Sequence, residues 1–104
     1  MSADGPSAHP RLALDEYLSL PVRLSIAAAL ARVDDVEFGT VRDAIEVSDA
    51  VLSKQVTILG GAGYVHVRKG YVGKRPRTWL SLTDDGRTAL HHHLEALRAL
   101  IADL

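Results

Sequence analysis

The sequence of 104 residues contains no cysteine. Disulfides, thiol redox sensing and cysteine-built zinc sites are therefore excluded, and the absence fits a cytoplasmic protein. No apolar run approaches the ~20 residues that a membrane span requires. The longest comparable segment, Leu20 to Ala31, is interrupted by Arg23 and Ser25. The N-terminus has no basic stretch followed by an apolar one, so no signal peptide is expected. Met1 to Pro10 is small, polar and proline-containing, and is expected to be a flexible tail. No nucleophile, base and orienting acid occur as a recognisable set, so neither an enzyme nor a cofactor is expected. Acid is missing too, from one block: residues 50–83 hold no aspartate or glutamate.

That block organises the charge. The net charge is −1, which alone argues against a polyanionic partner. Yet residues 1–49 carry four arginines against nine acids, and residues 84–104 carry two arginines against four acids. The acid-free block carries Lys54, Arg68, Lys69, Lys74, Arg75 and Arg77. Such segregation is the footprint of an anionic partner, the plainer reading being a locally basic surface without a ligand. Apolar residues make up 47% of the chain, enough for a folded domain with one modest core.

Leu12 to Ser19 is predicted as a short helix, Leu14 and Leu18 being four apart. Pro21 suits the first position of a second helix, where its missing N–H costs nothing and its φ is already helical. That helix is expected to run to about Arg32, with Val22, Ile26, Ala29 and Leu30 on its buried face and Arg23 off it. Val36 to Phe38 reads as a very short strand. Gly39 and Thr40 open a third helix, in which Val41, Ala44 and Ile45 follow helical spacing. After a turn at Val47-Ser48-Asp49, Ser48 is the expected N-cap of a fourth helix, with Leu52, Val56 and Leu59 on one face. Gly60-Gly61-Ala62-Gly63 ends it.

Tyr64 to Lys69 and Thr78 to Leu82 are β-rich. Gly70, Gly73 and Pro76 supply turn geometry between them, so a hairpin with a long basic tip is expected. Trp79 reads as a core residue at the base of the hairpin. Thr83-Asp84-Asp85-Gly86 caps a last helix, its acids near the positive end, running to about Asp103. Leu90, Leu94, Leu97, Ile101 and Leu104 form a heptad seam. Only about two heptads fit, too few for a free-standing coiled coil. The seam is expected to pack on its copy in a second subunit, the alternative being that it covers its own domain.

Helix, short strand, helix, turn, helix, hairpin, helix is the order of a winged helix-turn-helix. A helix is narrow enough to enter the major groove, and cations on a hairpin neutralise backbone phosphates. The chain resembles bacterial winged-helix transcriptional regulators of the MarR/ArsR-like type, in particular the small stand-alone group that is little more than the winged helix. Four segments carry the likeness: Leu20-Pro21-Val22-Arg23-Leu24; Leu52-Ser53 through Leu59 with Ala62-Gly63-Tyr64-Val65; Lys69 to Thr78; and Leu82-Thr83-Asp84-Asp85-Gly86-Arg87. It covers roughly residues 14 to 95. It implies a mostly α fold with a small β-hairpin (α+β), a winged helix-turn-helix with N- and C-terminal dimerisation helices. It also implies a homodimeric cytoplasmic regulator on a near-palindromic operator in double-stranded DNA; a minimal domain with no activation surface leans towards repressor rather than activator. Residues 11–104 would form the winged helix domain, with 84–103 as its dimerisation helix. Glu46 stands where such proteins often have glycine in the turn, so a positive φ there would be strained. Gly60 and Gly61 replace charged helix formers and should loosen the helix end, each costing roughly 1 kcal/mol relative to alanine if helical.

Ala50, Val51, Ser53, Lys54 and Thr57 are the candidates to face the major groove, with Lys54 donating to guanine or phosphate and Val51 or Ala50 touching a thymine methyl. Gln55 ranks lower, and Asp49 is expected to help cap the helix. Lys74, Arg75 and Arg77 are the expected phosphate or minor-groove contacts, flanked by Arg68 and Lys69. Leu90, Leu94, Leu97, Ile101 and Leu104 are the dimer-interface candidates.

Other signals carry less. His91-His92-His93 spreads around a helix at about 100° per residue and does not grip one ion, so no metal site is expected. His91 and Glu95 have i, i+4 spacing but are only two ligands; pH sensitivity is the remaining reading. The glycines at 60–63 follow a helix and precede a strand, the reverse of a phosphate cradle. Asp34 and Asp35 read as a solvated loop pair. The rival functions are a winged-helix protein-interaction module and a metal- or ligand-responsive sensor of the same fold, and a small-molecule effector stays open.

Overall fold

The structure, a computed structural model, describes residues 8–102 and residue 104. Residues 1–7 of the expected tail and Asp103 lie outside the described residues. The chain then runs α1 (Pro21–Leu30), β1 (Val36–Glu37), α2 (Phe38–Ala44), α3 (Asp49–Gly61), β2 (Val65–Val72), β3 (Arg75–Leu82) and α4 (Asp84–Leu100). No helix among the described residues is long and apolar enough to cross a membrane.

The helix expected over Leu12 to Ser19 does not form. A 3-10 helix spans Pro10–Ala13, its N-cap His9 accepting from the Arg11 amide, and turns follow. The cause is Asp15. Its Oδ1 accepts from the amides of Tyr17 at 2.8 Å and Leu18 at 3.1 Å. The side chain thus supplies what a helical carbonyl would have supplied, and the backbone turns instead. Leu18 is still delivered to the core.

The other helices follow their local signals. Pro21 occupies the first turn of α1. Ile26, Ala27 and Leu30 are its buried residues, with Val22 and Ala29 only half-buried. Ser48 caps α3 by accepting from the Val51 amide at 3.2 Å. Leu52, Val56 and Leu59 are buried as their spacing requires. Gly60 and Gly61 are helical, and the helix closes beyond them: the Gly63 amide donates to the Gly60 carbonyl and the Tyr64 amide to the Leu59 carbonyl. Gly63 adopts φ +83°, the left-handed residue that this closing motif needs. Glu46 sits at φ +58° in the turn before α3, the strained conformation expected of it.

The sheet is antiparallel in the order β1-β3-β2. Val65 pairs with Leu82 and Val72 with Arg75, so pairing continues to a two-residue turn at Gly73-Lys74. The long basic tip expected between the strands is therefore corrected to a two-residue turn joining two eight-residue strands. Gly73, at φ +62°, takes the first turn position, as a type II′ turn requires.

Strand alternation divides the hairpin. Val65, Val67, Leu80 and Leu82 fall on the face toward the helices, where Val65, Leu80 and Leu82 join the core with Leu18, Ile26, Leu30, Val41, Leu52, Val56, Leu59 and Leu90. Trp79 has the opposite parity. It is half-buried on the outer face and not in the core, which corrects the core reading. Thr83 caps α4 through the Gly86 amide at 2.9 Å. Gly86 is obligatory, because a Cβ there would collide with the Tyr64 carbonyl and come within 2.8 Å of Leu82 Cδ1. Arg87 donates to the carbonyls of Ala31 (3.1 Å) and Val33 (3.3 Å), satisfying acceptors left at the end of α1.

Candidate nucleic-acid interface

With Leu52, Val56 and Leu59 turned inward, Ala50, Val51, Ser53, Lys54 and Thr57 are left on the exposed side of α3. The Thr57 hydroxyl donates to the Ser53 carbonyl at 2.9 Å. Ser53 and Thr57 line one wall of a cleft of about 400 Å³, and Val67, Lys69, Thr78 and Leu80 of the hairpin line the other. Helix and hairpin thus share one concave surface, and Lys69 is its cation. Lys74 and Arg75 stand exposed at the hairpin tip, beside exposed Tyr71 and Val72.

The six cations of the acid-free block separate into two groups. Lys54, Lys69, Lys74 and Arg75 have no ion-pair partner among the described residues. Arg68 and Arg77 lie on the outer face and meet acids from elsewhere in the chain. Arg68 Nη2 is 2.9 Å from Asp35 Oδ2, and its guanidinium lies 4.2 Å from the centroid of the Trp79 ring. Gly70 makes room for that ring, since a Cβ there would stand 3.2 Å from it. Arg77 Nε is 3.6 Å from Glu37 Oε2, and this nitrogen is buried without a hydrogen bond. Glu37 reaches it because β1 pairs with β3, Glu37 opposite Trp79.

Several residues at this surface escaped the sequence. Asp49 does not cap α3; Ser48 does. Its Oδ1 instead accepts from Arg42 Nη1 at 2.9 Å, while Arg42 Nε holds Asp43 at 2.9 Å. The hydrogen bonds to Asp43 and Asp49 hold the Arg42 guanidinium firmly protonated, and Arg42 in turn pulls the Asp43 carboxyl below its usual range. Arg23 is not an idle surface residue: its Nε donates to Gln55 Oε1 on α3 at 2.8 Å. Gln55 is thereby a strut to α1. Arg pairs of this kind leave no local sequence signal.

A second junction lies at the root of the hairpin. His93 is buried, at 2% exposure, while His91 and His92 are exposed. His93 Nδ1 accepts from the Asp15 amide at 2.9 Å. The Tyr64 hydroxyl donates to Asp15 Oδ2, and with burial this bond pushes the phenol up to about 12. The Tyr64 carbonyl accepts from the Thr83 amide at 3.0 Å. One carboxylate and one imidazole therefore tie the N-terminal segment, the hairpin root and α4 together, beside a cavity of about 630 Å³ lined by Asp15, Tyr17, Tyr64, Asp85, His92 and His93 among others. No cluster of histidine, aspartate or glutamate suited to a metal ion occurs among the described residues.

Of the seam residues, Leu90 is buried in the chain's own core and Leu94 and Leu97 are half-buried. Ile101, at 54%, and Leu104 are exposed.

A two-helix turn with its second helix exposed, followed by a basic antiparallel hairpin, defines a winged helix-turn-helix. The chain belongs to the family described as winged helix DNA-binding domain, which matches residues 22–101. The resemblance to MarR/ArsR-like regulators read from the sequence agrees with this, and the protein is a DNA-binding transcriptional regulator by family and fold. It is similar to a transcriptional regulator homologue from Pyrococcus horikoshii OT3, with 28% identity and a TM-score of 0.79, over 86% of this chain and 91% of that one. Two further structures share the fold. The M. tuberculosis transcriptional regulator MosR in complex with DNA has 20% identity and a TM-score of 0.70, over 90% of this chain and 67% of its own. The PcaV regulator of Streptomyces coelicolor with its natural ligand has 18% identity and a TM-score of 0.66, over 90% of this chain and 68% of its own. No curated protein matches the sequence.

Proposed function

We propose that the protein is a sequence-specific, double-stranded DNA-binding transcriptional repressor of the cytoplasm that acts as a homodimer. In this reading α3 enters the major groove and the hairpin lies on the backbone or minor groove. The observation that carries it is the shared surface of α3 and hairpin. Small neutral side chains that let a helix approach base edges stand on α3 with Lys54, Lys69 faces them across the cleft, Lys74 and Arg75 stand at the hairpin tip, and none of these four cations has an ion-pair partner among the described residues. The MosR complex with DNA supports the same use of the fold.

The test is selection of genomic fragments by the purified protein, followed by affinity against salt. The expected result is a near-palindromic site with half-sites about one helical turn apart. Neutralising roughly four to eight phosphates per dimer should make affinity fall steeply with salt, at about 0.9 log units per contact per tenfold salt. An affinity unmoved between low and moderate salt contradicts the proposal and favours a protein-interaction module. A small-molecule effector has a place to bind in the 630 Å³ cavity, and the liganded PcaV structure is the observation that favours it.

A further inference from the structure

Asp49 is the only carboxylate of α3 and its first residue, with its side chain 72% exposed. An acid at the leading end of a DNA-binding helix is unfavourable next to phosphates. Capping does not account for it, because Ser48 meets the Val51 amide. Arg42 does not neutralise the site either, since one guanidinium serves both Asp43 and Asp49 and leaves a net negative charge. What Arg42 does is fix the carboxylate: Nη1 binds Oδ1 at 2.9 Å, and Oδ2 has no partner among the described residues.

The chemistry of the major groove says what such an oxygen meets. An ionised carboxylate only accepts hydrogen bonds. Guanine offers N7 and O6, both acceptors, and thymine offers O4; adenine sets its N6 donor beside the N7 acceptor. Cytosine presents only the N4 donor. We propose that Asp49 is a specificity residue that accepts a hydrogen bond from the N4 amino group of one cytosine per half-site, with Arg42 as its positioning residue. The same charge repels the acceptors of guanine and thymine at that position, meets the N7 acceptor beside the N6 donor of adenine, and weakens binding to unrelated DNA, so discrimination is gained at the expense of affinity. The inference rests on the reading that α3 enters the major groove.

The experiment is selection from a randomised duplex pool with the full chain and with Asp49→Asn, Asp49→Ala and Arg42→Gln. Affinities are then measured for the selected site, for a site changed at the assigned cytosine, and for unrelated duplex. The parent protein should prefer cytosine about tenfold or more at one position per half-site. Asp49→Asn should move that position toward adenine, which an amide reads through N6 and N7. Asp49→Ala should lose the preference, keep the others and bind unrelated duplex several-fold tighter. Arg42→Gln should reduce the cytosine preference at that position and leave the preferences at the other positions in place. Unchanged preferences in Asp49→Asn, or uniform weakening at all duplexes in Asp49→Ala and Arg42→Gln, overturns the inference and leaves a plain brace between α2 and α3. Failure of the parent protein to bind any duplex overturns the groove reading as well.

Discussion

At the scale of the residue, the Asp15–Tyr64–His93 junction has the most to answer for. His93 Nδ1 accepts a backbone amide from a residue 78 positions away. Replacing His93 by leucine keeps the bulk but strands the part-buried Asp15 N–H, which should cost about 1 kcal/mol. Hydrogen exchange at Asp15 should accelerate before the rest of the core; an amide that stays protected would show that His93 contributes only packing. Tyr64 makes a pH prediction with a definite sign. Its phenol is raised, so the protonated form belongs to the fold. The stability it contributes is complete below about 10, the ordinary tyrosine value, and is lost as pH rises through about 12. Among the three tyrosines, one should ionise last in a tyrosinate absorbance titration, and Tyr64→Phe should remove that step. Glu46, at φ +58°, carries backbone strain with no Cβ-free escape. Glu46→Gly should stabilise the protein by about 1 kcal/mol, several degrees in Tm for a domain of this size. A fall in Tm would mean that the Glu46 side chain makes a compensating contact.

At the scale of the element, the strong local signals were legible and the long-range ones were not. Ser48, Thr83, Pro21 and the 52-56-59 spacing each specify their neighbours, and the structure keeps all of them. Leu12 to Ser19 misled because Leu18 is buried by a turn that happens to preserve helical spacing. Trp79 was recoverable from parity, since it alternates with Leu80 and shares a face with Arg77 rather than with Leu82. The pairing of Arg68 with Asp35 and of Arg77 with Glu37 was not recoverable, because it depends on β1 joining β3. This division of the cations is testable. Lys74→Ala with Arg75→Ala should lower the salt slope of DNA binding by about 3.6, two phosphate contacts in each protomer of the dimer. Arg68→Ala with Arg77→Ala should leave the slope nearly unchanged and lower hairpin stability instead. Equal slopes lost in both pairs would place the ion-paired arginines on DNA too. The glycines of α3 give the converse case. A Cβ at Gly61 would meet nothing within 4 Å, and the residue is helical. Gly61→Ala should therefore add roughly 0.5–1 kcal/mol, measured by chemical denaturation.

At the scale of the whole molecule, the question is what covers the end of α4. Leu90 and Ala96 belong to the chain's own interior, and beyond them the apolar residues emerge: Leu100 is 41% exposed and Ile101 54%. Leu12, from the 3-10 helix that packs along α4, is 67% exposed, and Leu20, just before α1, is 49% exposed. A single copy leaves these side chains in water, whereas a second copy laid along the same helix would bury them at about 25 cal/mol per Å² of apolar surface. The proposed interface therefore starts at Leu94 and not at Leu90. Ile101→Asp places a charge in that seam without touching the core or the α3 surface. Sedimentation should show the parent protein as a dimer and Ile101→Asp as a monomer with unchanged helix content. Because two linked half-site contacts gain from effective concentration, the monomer should bind the operator at least about 100-fold more weakly. A variant that remains dimeric, or a monomer that binds with full affinity, would move the interface elsewhere and make each copy a self-sufficient reader of its site.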